Sequence, residues 1–221
     1  MARAKTAYVC AECGASALQW FGACPSCGAA GTLTETAVDK ASGHRYAAEG
    51  AKSIPLEEVE TKDVERIPSG LGELDRALGG GLVGGQVALL GGDPGIGKST
   101  LLLQALHAVS ANLPTLYVTG EESTDQVALR ARRLGLQSGE LRLLAETQLE
   151  RIVGALDAGK PRVAVIDSIQ TLWSETLQSA PGSVAQVREC AAQLTRHAKR
   201  TGTALLLIGH VTKEGAIAGP R

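Results

Sequence analysis

A glycine-rich segment of the chain ends in a lysine and a serine. The run Gly-Asp-Pro-Gly-Ile-Gly-Lys-Ser at 92–99 matches the pattern G-x-x-x-x-G-K-[ST] at every fixed position. Glycines let the backbone curl, so that several N–H groups and the N-terminus of a following helix bind phosphate oxygens. Lys98 would add positive charge near the β- and γ-phosphates, and the Ser99 hydroxyl would ligate magnesium. The segment predicts an ATP and Mg²⁺ site formed by Gly92, Asp93, Pro94, Gly95, Ile96, Gly97, Lys98, Ser99 and Thr100.

An aspartate at the end of an apolar run is the second candidate. Val-Ala-Val-Ile at 163–166 has the character of a buried strand, and Asp167 follows it. Beside a phosphate loop, such an acid is typical of a Walker B site, whose carboxylate holds magnesium directly or through water. The alternative is an aspartate that caps a turn or helix after the strand, and the phosphate loop favours the magnesium role.

Two glutamates, Glu121 and Glu122, follow the run Tyr-Val-Thr-Gly at 117–120. Ligand sites of open α/β sheets lie at the carboxyl ends of the strands, so either acid could deprotonate the attacking water. Glu122 also suits a cap for a helix that begins near Ser123. We therefore assign the base to Glu121 and keep Glu122 as the alternative. His210 ends a further apolar run and could sense the γ-phosphate, although the residues alone favour a surface histidine.

Four cysteines form two pairs near the start of the chain. Each pair has the spacing C-x₂-C, and ten residues separate the pairs. Four thiolates match the tetrahedral preference of structural zinc and leave no open position for catalysis. About 30 residues cannot build a core alone, so the metal would supply folding energy, with Trp20 and Phe21 packed over the site. The expected ligands are Cys10, Cys13, Cys24 and Cys27, whereas Cys190 is a small buried residue of a helix.

These residues need a framework that brings strand ends together. Aliphatic runs alternate with helical stretches from Ile67 onward, which is typical of βαβ units with a parallel sheet. Helices are predicted at 98–111, from a Ser123 cap to near Gly135, and through 184–198; strands are predicted at 86–90, 115–119, 141–144, 163–166 and 204–208. We predict an α/β fold with a mainly parallel central sheet. Its parts are a zinc-binding module at 1–34, a polar linker at 35–65 and the core domain at 66–221.

The composition limits the class of protein and of partner. The chain has 221 residues, of which 44% are hydrophobic and 20% charged, as in ordinary globular proteins. Its formal net charge is −1, so any nucleic-acid binding must use a local patch. No apolar run approaches the roughly 20 residues of a membrane span, and no apolar stretch follows the first residues. We expect a cytoplasmic protein with no membrane contact, in which closely spaced cysteines bind metal.

Several further segments resemble a known family in combination with these motifs. They are the runs at 69–76, 79–82, 120–123 (Gly-Glu-Glu-Ser), 167–171 (Asp-Ser-Ile-Gln-Thr) and 209–215 (Gly-His-Val-Thr-Lys-Glu-Gly). With the cysteine module in front, the chain closely resembles the RadA (Sms) family of bacterial DNA repair proteins. The resemblance covers almost the whole chain apart from the linker.

The resemblance implies a RecA-like P-loop ATPase that assembles into a hexameric ring. It implies binding of single-stranded and branched DNA, action with a recombinase or other repair proteins, and processing of branched recombination intermediates. Lys98, Ser99, Asp167 and Glu121 take the phosphate, magnesium and base roles, and His210 takes a sensor position at the start of a DNA-binding loop. Another such loop would lie between Leu172 and Val184 and contain Trp173 and Ser183, in which Trp173 either stacks on a base or is buried against a neighbouring helix.

The chain departs from the family's sequence pattern in one respect. The family continues through a Lys-Asn-Arg-Phe-Gly motif and a Lon-protease-like domain, so we expect a truncated chain, mainly monomeric and of low ATPase activity.

The rival to a DNA-dependent ATPase is a nucleotide-gated binding module, a non-motor P-loop switch of the clock-protein type. Stimulation of ATP hydrolysis by single-stranded DNA would separate the two.

Overall fold

The computed structural model describes residues 6–10, 12, 14–37, 55–58, 65–136, 140–177 and 179–210. The chain divides into two compact units, Met1–Val64 and Glu65–Arg221. Across these described ranges, no helix combines the length and the apolar character that a membrane crossing requires.

The first unit contains a small antiparallel sheet. Its strands are β1 (Thr6–Cys10), β2 (Ser16–Ala17) and β3 (Leu33–Ala37), in the order β2-β1-β3. A short 3₁₀ helix follows at Leu56–Glu58. Cys10, Cys24 and Leu33 are buried together, with Tyr8 and Ala15 packed against them. Since few of the described side chains are buried, those residues give this sheet little hydrophobic stabilisation of its own.

The second unit begins with a hairpin and a short helix. Strands β4 (Arg66–Ile67) and β5 (Leu82–Val83) pair antiparallel, and helix α1 (Gly72–Ala77) lies between them in the chain. The side chains of Ile67 and Leu82 are buried in the core of this unit, so the hairpin is anchored to the domain that follows.

A five-stranded parallel sheet forms the centre of the second unit. Its strands are β6 (Val87–Gly92), β7 (Thr115–Thr119), β8 (Leu141–Ala145), β9 (Val163–Asp167) and β10 (Ala204–His210), in the order β6-β10-β9-β7-β8. The helices are α2 (Lys98–Ser110), α3 (Thr124–Arg133), α4 (Leu149–Gly159) and α5 (Val184–Thr201). Every strand therefore ends at the same edge of the sheet, where the predicted site residues lie.

Helices cover both faces of this sheet, which explains why its central strands are continuously apolar. On one face, Tyr117, Val165 and Leu206 pack with residues of α2 and α3. On the other face, Val118, Ile166 and Leu207 pack with residues of α4 and α5. Adjacent residues of each strand thus enter opposite layers, as the alternation of side chains along a strand requires.

The predicted α/β fold class with a parallel central sheet is confirmed. The strand at Thr115–Thr119 has the predicted bounds, and the other four are one or two residues longer at their carboxyl ends. The Ser123 cap is also confirmed, because its side chain accepts a hydrogen bond from the backbone N–H of Gln126 in a capping box. Helix α4 was not predicted. Of the predicted linker at 35–65, the structure describes only 35–37, 55–58 and 65, and β3 extends to Ala37.

Candidate active site

The phosphate-loop segment joins β6 to α2. Gly95 and Gly97 have φ angles of 81° and 98°, which lie in the left-handed region that favours glycine. Lys98 is the first residue of α2, and its buried Nζ atom donates hydrogen bonds to the carbonyl oxygens of Gly92 (2.7 Å) and Asp93 (2.8 Å). An ammonium group has three donors, so two are satisfied by the loop and one remains for a ligand. This arrangement fits a phosphate group.

Asp167 ends β9 and is only 5% exposed. The hydroxyl of Tyr117 donates a hydrogen bond of 2.5 Å to its Oδ2 atom. Burial raises the pKa of Tyr117 well above its usual value, and the charge of Asp167 and this hydrogen bond raise it further. The phenol therefore stays protonated and acts as a donor to the carboxylate.

Glu121 lies just beyond β7, and its Oε1 atom has two polar neighbours. The hydroxyl of Ser168 donates to Oε1 at 2.6 Å, and Nε2 of His210 lies 3.0 Å from the same oxygen. The backbone carbonyl of His210 in turn accepts a hydrogen bond of 3.1 Å from Nε2 of Gln170. Glu121 follows β7 and His210 ends β10, and β9 separates these two strands. Ser168, just after β9, contacts Glu121 between them.

Glu122 points to a different partner. It forms an ion pair with Arg130 of α3, whose side chain is only 16% exposed. Its backbone N–H donates to the hydroxyl of Thr119 at 3.1 Å. Because the Glu122 carboxylate is engaged by Arg130, the geometry favours Glu121 as the acid that faces the site.

Strand register explains why these residues lie at one level of the sheet. His210 pairs with Gly92, the first residue of the phosphate loop, and Thr119 pairs with Asp167. The backbone N–H of Gly120 also donates to the carbonyl of Asp167 at 2.7 Å. The phosphate loop, the aspartate and the segment that carries Glu121 therefore meet at the carboxyl edge of the sheet, as expected for this class of fold.

Gly120 makes a close approach that only glycine permits. A Cβ atom placed on Gly120 would lie 2.8 Å from Cβ of Thr171 and 3.2 Å from Cγ2 of Thr147. Thr171 is itself fixed, since its hydroxyl donates to the carbonyl of Ser168 at 2.8 Å. The segment after β7 is thereby held directly against the segment after β9.

Three polar residues at the site were not predicted from the sequence. They are Tyr117, Ser168 and Gln170, which contact Asp167, Glu121 and the backbone of His210. A signal was present for Tyr117, because a tyrosine in an otherwise aliphatic buried strand must find a partner for its hydroxyl. For Ser168 and Gln170, no local pattern points to these contacts.

The predicted loop between Leu172 and Val184 is partly described. Trp173 is half-buried, its Nε1 donates to the hydroxyl of Thr147 at 3.3 Å, and its backbone N–H donates to the carbonyl of Thr147 at 3.0 Å. Ser183 caps α5 by accepting from the backbone N–H of Gln186. This geometry favours packing of Trp173 against the protein over an exposed ring, with Thr147 between β8 and α4 as the neighbour in place of the expected helix. The DNA-binding loop expected to follow His210 lies outside the described residues.

The cysteine module contains two turns with the same hydrogen bonds. The N–H of Cys10 donates to the carbonyl of Ala15, and that of Cys24 donates to the carbonyl of Ala29. Gly14 and Gly28 donate back to Cys10 and Cys24, each from a residue with a φ of 70–76°. Two copies of one turn are therefore placed around one point.

The sulfur atoms of this module fit a metal. The Sγ atoms of Cys10, Cys24 and Cys27 all lie within 4.8 Å of one another, and those of Cys10 and Cys27 are 3.7 Å apart. Two sulfurs on a tetrahedral zinc with bonds of about 2.3 Å are about 3.8 Å apart. Cys13 lies outside the described residues. Trp20 and Phe21 are exposed, so their predicted packing over the site is wrong; Tyr8 and Leu33 line the buried sulfurs instead.

Two family profiles match different parts of the chain. A family profile described as "AAA domain" matches residues 55–216, and one described as "Rubredoxin metal binding domain" matches residues 8–35. The second match and the sulfur cluster support a structural zinc site in the first unit.

Whole-chain relatives carry the name "DNA repair protein RadA". The chain is 56% identical to the protein of that name from Pseudomonas aeruginosa, 48% to that from Escherichia coli and 46% to that from Bacillus subtilis. Each alignment covers 100% of this chain and 50% of the relative, so the chain spans about half the length of these proteins. The predicted resemblance to RadA is confirmed. Because the first profile matches well over half of the residues, the chain belongs to the AAA domain family.

Proposed function

We propose that this chain is an ATP hydrolase of DNA repair whose turnover is coupled to DNA. The observation that carries the proposal is the contact of Glu121 with Ser168 and His210 at the sheet edge where the phosphate loop begins. This contact supports the assignment of Glu121 as a base for water beside a phosphate site. The likeness to proteins named for DNA repair supports the biological setting.

The motif supports each proposed role, and the positions of the Lys98, Asp167 and Glu121 side chains add support for theirs. The phosphate-loop backbone and Lys98 bind the phosphates, and Lys98 is already turned toward the loop by its two carbonyl acceptors. Ser99 and Asp167 hold the magnesium ion, which would neutralise charge that develops on the phosphates. Glu121 takes the proton of the attacking water. Both of its contacts within the described residues fall on Oε1, which leaves Oε2 available as the acceptor.

His210 is proposed to report the state of the site to the chain beyond it. Its imidazole contacts Glu121, the proposed base, and His210 is the last residue of β10. A change in the Glu121–His210 contact during turnover would therefore be transmitted to the segment that follows residue 210. We propose that this segment contacts single-stranded or branched DNA, and that the ring assembly and the recombination partners expected from the resemblance apply to the longer relatives.

The zinc module is proposed to be structural. Cys10, Cys24 and Cys27 supply three thiolates. Cys13 is proposed as the fourth, because it stands to Cys10 in the first C-x₂-C pair as Cys27 stands to Cys24 in the second. A closed set of four sulfurs holds the fold of the first unit, and the surface of that unit remains available to DNA or to a protein partner.

One experiment separates this proposal from its rival. ATP hydrolysis by the chain is measured at low salt with and without a single-stranded oligonucleotide, with Lys98→Ala as the matched control. We expect hydrolysis above the control that rises when DNA is added. Hydrolysis that DNA does not change would favour the nucleotide-gated switch, and hydrolysis no greater than that of Lys98→Ala would refute the ATPase. Any stimulation should fall steeply with salt, because binding to phosphates releases counterions.

A further inference from the structure

Tyr117 is fully buried in β7, and its hydroxyl makes a polar contact that the apolar side chains of Leu116 and Val118 cannot make. Its ring packs with Val127 of α3 and with Val163 and Val165 of β9 in one apolar cluster. Among the described residues, its hydroxyl makes one hydrogen bond, of 2.5 Å to Oδ2 of Asp167. A phenol buried among valines is costly unless its hydroxyl is satisfied, so this contact determines where the hydroxyl lies.

The register of the two strands makes the contact possible. Tyr117 pairs with Val165, and Thr119 pairs with Asp167, so Tyr117 and Asp167 are diagonal neighbours on the same face of the sheet. Long aromatic side chains reach such diagonal positions. An ionised carboxylate can only accept, so the phenol is the donor and one of the two oxygens of Asp167 is occupied by protein.

A second charged pair lies beside this contact. Arg130 and Glu122 form a partly buried ion pair, and both charges act on the Tyr117 hydroxyl. The Nη1 atom of Arg130 is buried and has no hydrogen-bond partner among the described residues. Tyr117 occupies the Oδ2 side of Asp167, which leaves Oδ1 as the oxygen that a ligand would contact.

We infer that Tyr117 is a positioning residue for the magnesium site: its hydroxyl holds Oδ2 of Asp167, so that Oδ1 is presented toward the phosphate loop. The inference rests on the proposed role of Asp167 in holding magnesium. Without the hydroxyl, the carboxylate can rotate between several orientations, and it must be ordered again each time the ion binds. This ordering weakens the magnesium-dependent binding of nucleotide. It does not affect the contact of the phosphates with Lys98.

The test measures nucleotide affinity against magnesium concentration, with a fluorescent ATP analogue and the whole chain. In Tyr117→Phe, the magnesium concentration at half-maximal binding should rise about tenfold or more, as expected for loss of a hydrogen bond to a charged group. Nucleotide binding without magnesium should stay at the wild-type level. A wild-type magnesium curve in Tyr117→Phe would overturn the inference.

Three further variants separate the possible explanations. Val127→Ala removes packing from the same cluster but no hydrogen bond, so it should lower the unfolding temperature and leave the magnesium curve unchanged. A fluorinated tyrosine at position 117 keeps both ring and hydroxyl, so it should restore the wild-type curve; a curve shifted as in Tyr117→Phe would contradict the inference. Lys98→Ala reports on the proposed function itself: if the wild-type chain binds nucleotide no better than Lys98→Ala, the proposed function fails, and the inference falls with it.

Discussion

Nε2 of His210 lies 3.0 Å from Oε1 of Glu121, although 89 positions separate the two residues in the chain. Ser168 donates to the same oxygen. A carboxylate held by two neighbours is ordered before water or nucleotide arrives, and such order is what a general base requires. The first prediction tests that role.

Glu121→Gln should bind nucleotide as the wild-type chain does but hydrolyse it about 10²–10⁴ times more slowly, because the amide keeps the shape and removes the base. Single-turnover hydrolysis and nucleotide titration measure the two effects separately. Glu122→Gln is the matched control: it loses the ion pair with Arg130 and should be less stable, with a much smaller effect on turnover. A larger turnover defect in Glu122→Gln would show that Glu122 is the base.

Lys98→Ala should abolish ATP hydrolysis and weaken nucleotide binding, because it removes a charge-assisted contact with the phosphates. The same change leaves the carbonyls of Gly92 and Asp93 without their donor, so the free energy of unfolding should also fall modestly. Isothermal titration with ATP and urea unfolding report the two effects. Lys199→Ala, an exposed lysine in the last turn of α5, is the control and should resemble the wild type. Unchanged hydrolysis in Lys98→Ala would reject the phosphate-loop assignment.

One zinc ion per chain is expected in freshly purified protein. Chelation should unfold the first unit, in whose described part few side chains are buried, and leave the parallel sheet of the second unit folded. Mass spectrometry after treatment with a thiol reagent checks this in one measurement. The cysteines of the first unit should be modified only after chelation. Cys190 should stay unmodified throughout, because burial raises the pKa of its thiol to about 12. Rapid modification of Cys10 and Cys24 before chelation would contradict the zinc site.

The stability of the second unit should fall with acid through His197. Burial lowers the pKa of this histidine; the charge of Asp157 opposes the shift and that of Arg200 adds to it. The unfolded chain takes up a proton below about pH 6.5, whereas the folded chain does not until a lower pH. The contribution of neutral His197 to the free energy of unfolding is therefore complete above about pH 6.5, and it is lost as the pH falls toward the pKa of the folded state.

Urea unfolding at several pH values between about 7.5 and about 5.5 checks this dependence. His197→Gln should show a smaller loss of stability on acidification than the wild type. His107→Gln on α2 is the matched control and should keep the wild-type slope. Equal slopes in the wild type and His197→Gln would show that another group controls the dependence.

The strands were predictable because each is a short aliphatic run between polar boundaries. Thr115–Thr119 and Val163–Asp167 are examples, and their burial on both faces explains their continuous apolar character. Helix α4 was missed although Leu149, Ile152 and Leu156 have helical spacing. Its N-cap residue is Gln148, whose side chain makes no capping hydrogen bond, so the usual start signal is absent.

The site was predictable only to the level of strand ends. A parallel sheet places Glu121, Asp167 and His210 at one edge, which local pattern alone implies. Their mutual contacts depend on the order β6-β10-β9-β7-β8, which places β9 between β7 and β10. That order is decided by packing of helices on both faces and has no signature in any single segment. The contact of Tyr117 with Asp167 and that of Ser168 with Glu121 follow from it and were therefore missed.

The contact at Gly120 has a consequence for how this site can change in evolution. A side chain at this position would collide with Thr171 and Thr147, so selection for folding alone would retain glycine, whether or not the cell requires the reaction. In a saturation library, position 120 should return glycine only, whereas Gly154 of α4, where a Cβ meets nothing within 4 Å, should accept alanine. Residues 121 and 122 can therefore be substituted in ways that change the reaction, whereas Gly120 cannot be substituted. The geometry of this segment would then be retained even if the function changed.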